Sequence, residues 1–255
     1  MEPHTASGAV SRYASDGVLI AGGVRAILLQ VADPAVAAGV ARHSDFAHRP
    51  VERLRNTLTF AYAVVLGTPD DAARVASLVN RAHVPVNRAG DAELQLWVAA
   101  TLYDTAVTVH DHVFGPADDA LADELYRDYA ALGTSLQMPA AMWPASRAEF
   151  RTYWESRIAK LEVTDDARQI AHDLFAPVMA PAWLRAGLPL GRLLTLDLLP
   201  ASVRALYGFE WTPRDARGAR RAWSLLRFLV ALTPHRFRSW PSRHYLKRLR
   251  GQATN

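Results

Sequence analysis

Residues 49–83 read RPVERLRNTLTFAYAVVLGTPDDAARVASLVNRAH and hold most of the side chains in this chain that are suited to chemistry. The run closes on His83, at the end of an amphipathic segment whose inward side is read as Val75, Leu78, Val79 and Ala82. His83 lies four residues beyond Val79, so it borders that side on a helix. A neutral imidazole facing an apolar cavity is what an axial iron ligand requires. The same placement also suits a capping histidine or a satisfied core histidine. At the other end, Arg53 and Thr57 are four residues apart and share a helical face, with Arg55 beside them and Arg49 just before. Cations at a helix start are disfavoured by the helix dipole, which points to an external anion. Haem propionates are such anions, and arginine pairs carboxylates bidentately. A solvated basic edge, or pairing with Glu52 and Asp45, explains the same residues.

The other histidines offer less. His110 and His112 are two residues apart in VHDHVFG. On a helix they point about 200° apart and do not easily share one ion. His112 continues an apolar stripe and is read as a core histidine. His43 and His48 are candidates for a pocket rim. His172, His235 and His244 are read as surface residues. Trp97, Phe60 and Tyr62 suit a cavity lining, although such residues more often simply fill a core. The chain lacks G-x-G-x-x-G, P-loop, G-x-S-x-G, S-x-x-K and H-E-x-x-H motifs. No Glu begins a Glu-x-x-His, which argues against a ferritin-type di-iron bundle.

The elements that must position these groups read as helices. Thr68-Pro69-Asp70-Asp71 places a cap, a first-turn proline and first-turn acid, and the helix should run to about His83, before Pro85. Asp91 caps the next, with a stripe of Leu94, Val98, Thr101, Leu102, Thr105, Val109 and Val113. Ser146 to Glu149 forms a capping box, Thr164 opens another helix, and Thr212-Pro213 opens a long one through Leu232. Asn56 to Leu66 is β-branched and aromatic, but its length and setting favour a buried helix. Pro/Gly breaks near 177–191 suggest that the chain turns there. The expected architecture is all-α, in three parts: a flexible N-terminal segment 1–16, a catalytic domain 17–210, and a basic C-terminal helix and tail 211–255.

The chain has 255 residues, half of them hydrophobic, enough to bury a sizeable core. It contains no cysteine, which removes disulfides, thiolate-ligated haem and iron–sulfur clusters from consideration. No basic start or apolar core of a secretion signal is read at the N-terminus, so a cytoplasmic protein is expected. The net charge of +4 conceals an asymmetry. Residues 204–250 carry twelve Lys/Arg against Glu210 and Asp215, so that segment is strongly positive and the remainder acidic. Aromatic residues Trp223, Phe228, Phe237, Trp240 and Tyr245 are interleaved with those cations. An anionic membrane surface, at the inner face of the membrane, is therefore the expected macromolecular partner of the C-terminal segment. The rival reading pairs its arginines with Asp118, Asp119, Asp123 and Glu124 inside the fold. Nucleic acid is not expected as a partner.

The blocks GGVRAILLQVADPAVAAGVARHSDF, RPVERLRNTLTFAYAVVLGTPDDA, VNRAHVPV and DAELQLWVAATLYDTAV together resemble the MpaB-type oxygenase family, which includes the bacterial rubber oxygenases. The likeness runs from about Gly17 to Gly208. It implies a single helical, partly globin-like domain with b-type haem (iron) in a pocket between helices. It also implies His83 as the proximal ligand, with Arg53 and Thr57 as the Arg and Thr near the haem. The implied activity is oxygenation, with dioxygen, of a small or lipid-like apolar substrate. The alternative is a non-catalytic helical protein that binds haem or an apolar ligand. Three positions depart from the pattern: Asp33 and Ala99 stand where many relatives carry histidine, and Asn56 stands where rubber oxygenases carry lysine. These departures narrow the implied ligand to His83 and argue against polyisoprene as the substrate.

Overall fold

A computed structural model describes residues 8–43, 50–83, 88, 90–177 and 182–251, with the side chains of all of these except 43, 50, 51, 53, 54, 183 and 184. The described residues form helices joined by short turns, and no strand occurs among them. The order is α1 (Gly8–Ala14), a 3-10 stretch Gly17–Gly22, α2 (Gly23–Val31), α3 (Pro34–His43), α4 (Pro50–Leu66), α5 (Pro69–His83), α6 (Ala92–Phe114), α7 (Asp119–Thr134), α8 (Arg147–Ala159), α9 (Asp165–Phe175), α10 (Ala182–Leu198), α11 (Ala201–Leu206), α12 (Pro213–Leu232), α13 (His235–Arg238) and α14 (Trp240–Gly251).

The capping residues act as their types require. The side chains of Asp91, Asp118, Ser146, Thr164 and Thr212 each accept a backbone N–H in the first turn of the helix that follows. Thr212 and Asp215 complete a reciprocal capping box. Thr68 and Asp71 make the same exchange at the start of α5.

The centre of the molecule is α6, buried over most of its circumference by Trp97, Ala99, Ala100, Tyr103, Ala106 and Val109. The Gly17–Gly22 stretch, α2, α7 and α12 pack on it from different sides. Gly22 permits the closest of these approaches. A Cβ there would stand 2.4 Å from Thr105 Cγ2 and 2.8 Å from Val109 Cγ2. The main core holds Leu28, Leu29, Trp97, Leu125, Leu132, Leu196 and Val203. A smaller one, between α6, α10 and α12, holds Val109, Val113, Leu194, Leu198, Ala219 and Trp223.

One expectation about the chain's course needs correction. Within residues 1–16, Gly8–Ala14 forms α1, whose Val10, Tyr13 and Ala14 fall at helical spacing and bury one face. The expected turn through residues 177–191 is in part a helix. α10 continues through Pro189, whose missing N–H interrupts one backbone bond without ending the helix. No single helix among the described residues is long and apolar enough to cross a membrane. The bent pair Gly8–Ala14 plus Gly17–Val31 has the length and composition, and its Val10, Leu28, Leu29 and Val31 are buried in the core.

Candidate functional site

α4 and α5 form an antiparallel hairpin joined at Gly67-Thr68, packed along their length. At about 1.5 Å per residue, His83 at the end of α5 lies level with the first turns of α4. The hairpin geometry thus brings His83 level with the backbone of Arg53 and Arg55, with Thr57 further along α4. His83 and Thr57 are exposed and Arg55 is half-buried. The backbone of Arg53 lies in α4, but its side chain, like the whole of Arg49 and His48, lies outside the described residues. So does the His43 side chain.

The inward stripe expected on α5 is only half inward. Val75 is buried and Val79 is partly buried, but Leu78 and Ala82 are exposed along with His83. The cause is the length of the hairpin. α14 and the core cover the part of α5 near the turn, where Arg250 donates to Asp71 at 2.7 Å. The far end runs past this cover. Leu78, Ala82 and His83 therefore make an open apolar edge tipped by an imidazole. Residues 44–49 and 84–87, which adjoin it in sequence, lie outside the described residues.

Trp97, Phe60 and Tyr62 are core residues, all under 10% exposed. Trp97 donates its indole N–H to the Leu29 carbonyl at 3.2 Å and packs on Trp154. Phe60 and Trp97 belong to the main core cluster, and Tyr62 stacks on Tyr245.

Asp33 and Ala99 have structural duties. The Asp33 carboxylate accepts the Ala35 and Val36 amides at the start of α3, and its other oxygen takes the Arg157 guanidinium at 2.8 Å. Arg157 in turn lies over the Trp97 ring. Ala99 is fully buried where α6 meets α7, and a Cβ on Gly133 would stand 3.3 Å from its Cβ. An imidazole has no room there.

Of the two neighbouring histidines of α6, His112, expected in the core, is the more exposed. His110 is the more buried side chain and stacks on Tyr13. His112 reaches the Thr108 carbonyl at 2.8 Å and leans on Trp223. His172 and His244 are exposed, as expected. His235 is half-buried, because its ring nitrogen reaches the Arg12 carbonyl at 3.1 Å. Among the described residues, no group of three or more His, Asp or Glu gathers as a metal site. One buried cation has no periodic signal in the sequence: Arg25 donates to Asp104, Thr105 and the Leu198 carbonyl, tying α2 to α6 and α10.

The sequence model of the ER-bound oxygenase mpaB/B'/rubber oxygenase catalytic domain matches residues 11–228. The chain belongs to this family. The match begins earlier than the expected domain start at residue 17, within α1, and ends in α12. An uncharacterised protein of Mycobacterium tuberculosis (strain H37Rv) and an uncharacterised protein of Mycobacterium bovis are each 33% identical over 224 residues, covering 82% of this chain and 88% of the relative. No solved structure matches the chain. Because the family is one of oxygenases, the chain carries an oxygenase catalytic domain of the oxidoreductase class.

Proposed function

We propose that this protein is a haem b-dependent oxygenase acting with dioxygen on a small or lipid-like apolar substrate. The observation that carries this reading is the open edge of α5, where His83 ends an exposed stripe of Leu78 and Ala82 beside the arginine-rich start of α4. A flat apolar ring bearing two carboxylates needs such a surface: one imidazole for its iron, apolar contact for its face and guanidinium groups for its edge. By the chemistry of their donors, the residues present fit the group.

His83 would supply the proximal nitrogen. Arg49, Arg53 and Arg55 would hold the propionates through paired N–H donors. Leu78, Val79 and Ala82 would keep water from the ring face. When bound, haem supplies redox-active iron for dioxygen chemistry. With Asp33 and Ala99 committed to the fold, the Thr57 hydroxyl and any guanidinium N–H of Arg53 not engaged with a carboxylate are the polar groups that would orient the substrate by hydrogen bonding. Because Asn56 stands where rubber oxygenases carry lysine, a small molecule is a better candidate than polyisoprene.

The decisive experiment is purification from cells supplied with a haem precursor. The wild type should be red, with a Soret band and near-stoichiometric haem. His83→Ala should lose most of the haem while keeping a wild-type helical spectrum, and His110→Ala should retain it. A colourless wild type, or a His83→Ala protein with full haem and an unchanged spectrum, would sink the proposal.

A further inference from the structure

α12 is amphipathic in an unusual sense, because both of its faces carry large apolar groups. One face buries Ala219, Trp223 and Val230 against α6 and α10. The opposite face presents Leu225, Phe228, Leu229 and Leu232 at i, i+3, i+4 and i+7, a single stripe on the helix. All four are 50–66% exposed, as are Phe237 on α13 and Trp240 at the start of α14. An exposed run of large apolar side chains of this kind marks an interaction site.

The same stripe continues toward the helix start as cations. Arg214, Arg217 and Arg221 lie in line with it at spacings of three and four, and Arg220 and Arg227 flank it. None of these five forms an ion pair with a carboxylate within 4 Å among the described residues, whereas Arg238 is committed to Asp16 and Arg250 to Asp71. Arg214, Arg217 and Arg221 also line a cleft of about 440 Å³ with Leu193, Asp215 and Gly218. A cationic cleft therefore adjoins an apolar patch on one continuous surface.

The charge decides which partner fits. Two copies of this chain meeting face to face through the patch would oppose the same unpaired arginines, with only Asp215 in the cleft to offset them. Nucleic acid would be drawn to the arginines and could stack on Phe228, Phe237 or Trp240, but it would leave Leu225, Leu229 and Leu232 facing water. An anionic lipid surface satisfies both halves: phosphates meet the arginines, and the apolar side chains enter the boundary between headgroups and acyl chains.

We propose that the outer face of α12, with Phe237 and Trp240, docks on a bilayer rich in anionic phospholipid, with lipid phosphates seated in the Arg214–Arg217–Arg221 cleft. This site does not depend on haem or on the oxygenase reading. It also differs from the docking expected from the sequence. Trp223 is buried, Tyr245 is half-buried against Tyr62, and Arg238 and Arg250 are used inside the fold.

The test uses the full chain and sedimentation with vesicles of phosphatidylcholine alone or mixed equally with phosphatidylglycerol. The wild type should pellet with the mixed vesicles at low salt, remain in the supernatant with phosphatidylcholine, and be released by salt. Arg217→Glu with Arg221→Glu, and separately Phe228→Ser with Leu232→Ser, should each lower partitioning by at least about tenfold. All four substituted side chains are exposed, so a wild-type helical spectrum should accompany the loss. A wild type that stays in the supernatant with anionic vesicles at low salt overturns the proposal. So does a dimer in sedimentation equilibrium that Phe228→Ser with Leu232→Ser dissolves, because the patch would then belong to a second copy. Unchanged pelleting of both double variants would also overturn it.

Discussion

The imidazole of His110 lies stacked on the ring of Tyr13, with centroids 3.8 Å apart and planes 17° apart. Burial lowers its pKa from the ordinary 6.5 to about 4, with the Asp16 carboxylate opposing the shift. The folded state thus holds the neutral ring where the unfolded chain binds a proton. Stability should be complete above about pH 6.5 and fall as the pH drops toward 4, by roughly 2–3 kcal/mol. Urea unfolding across this window should show the slope, and His110→Gln should flatten it. A wild-type slope retained in His110→Gln would assign the effect to another group.

Gly22 admits no side chain against α6, since a Cβ would meet Thr105 Cγ2 at 2.4 Å and Val109 Cγ2 at 2.8 Å. Gly22→Ala should cost about 2 kcal/mol or more, as overpacking does. Gly8→Ala, where nothing lies within 4 Å, should be near neutral. Chemical denaturation of the two variants side by side checks the contrast.

Ala99 is fully buried beside Gly133. Ala99→His, the residue that the family resemblance would place there, should destabilise the protein by about 3 kcal/mol and create no new iron ligand. Thermal unfolding, together with an absorption spectrum of whatever folds, tests both halves.

Removing everything after Thr233 should do more than remove charge. It deletes the Arg238–Asp16 pair at 2.8 Å, the Arg250–Asp71 pair at 2.7 Å and the buried Leu249. It also strips α14 from α4. A drop of about 10 °C or more in the melting temperature is expected. Arg250 holds the Asp71 carboxyl below the usual carboxylate range, so this pair stabilises at neutral pH and is lost as the pH falls through the lowered value. Because Arg250 is more than half exposed, Asp71→Asn should cost only about 1 kcal/mol at neutral pH.

Arg53 and Thr57 carry the proposed chemistry on α4. Arg53→Ala should raise the rate of haem loss about tenfold, through the lost charge-assisted pair. Thr57→Val should retain haem and slow substrate-dependent oxygen consumption by a similar factor. Stopped-flow haem transfer and an oxygen electrode separate the two. If both variants match the wild type in both assays, the α4 side of the site is misassigned.

Helix boundaries were legible because they are local. Thr68, Asp91, Ser146, Thr164 and Thr212 each sit within three residues of the amides they cap, so residue type and spacing are enough to place α5, α6, α8, α9 and α12. The family was legible for a related reason: it is carried by ordered blocks of sequence rather than by any contact. The all-α character follows from the same local signals.

What only the tertiary structure decided is where each helix face ends up. The stripe Val75, Leu78, Val79, Ala82 looks continuous in sequence, yet cover from α14 and the core stops partway along α5 and leaves Leu78 and Ala82 open beside His83. His110 and His112 point about 200° apart on α6, and the approach of α1 makes the first the buried one. The basic segment divides in the same way. Asp16 and Asp71, more than 170 residues distant in sequence, take Arg238 and Arg250, while the expected partners Asp119 and Asp123 take Arg147 instead. Periodicity records that a face is apolar or charged. It does not record what another part of the chain brings to that face, because packing pairs surfaces by shape across long stretches of sequence.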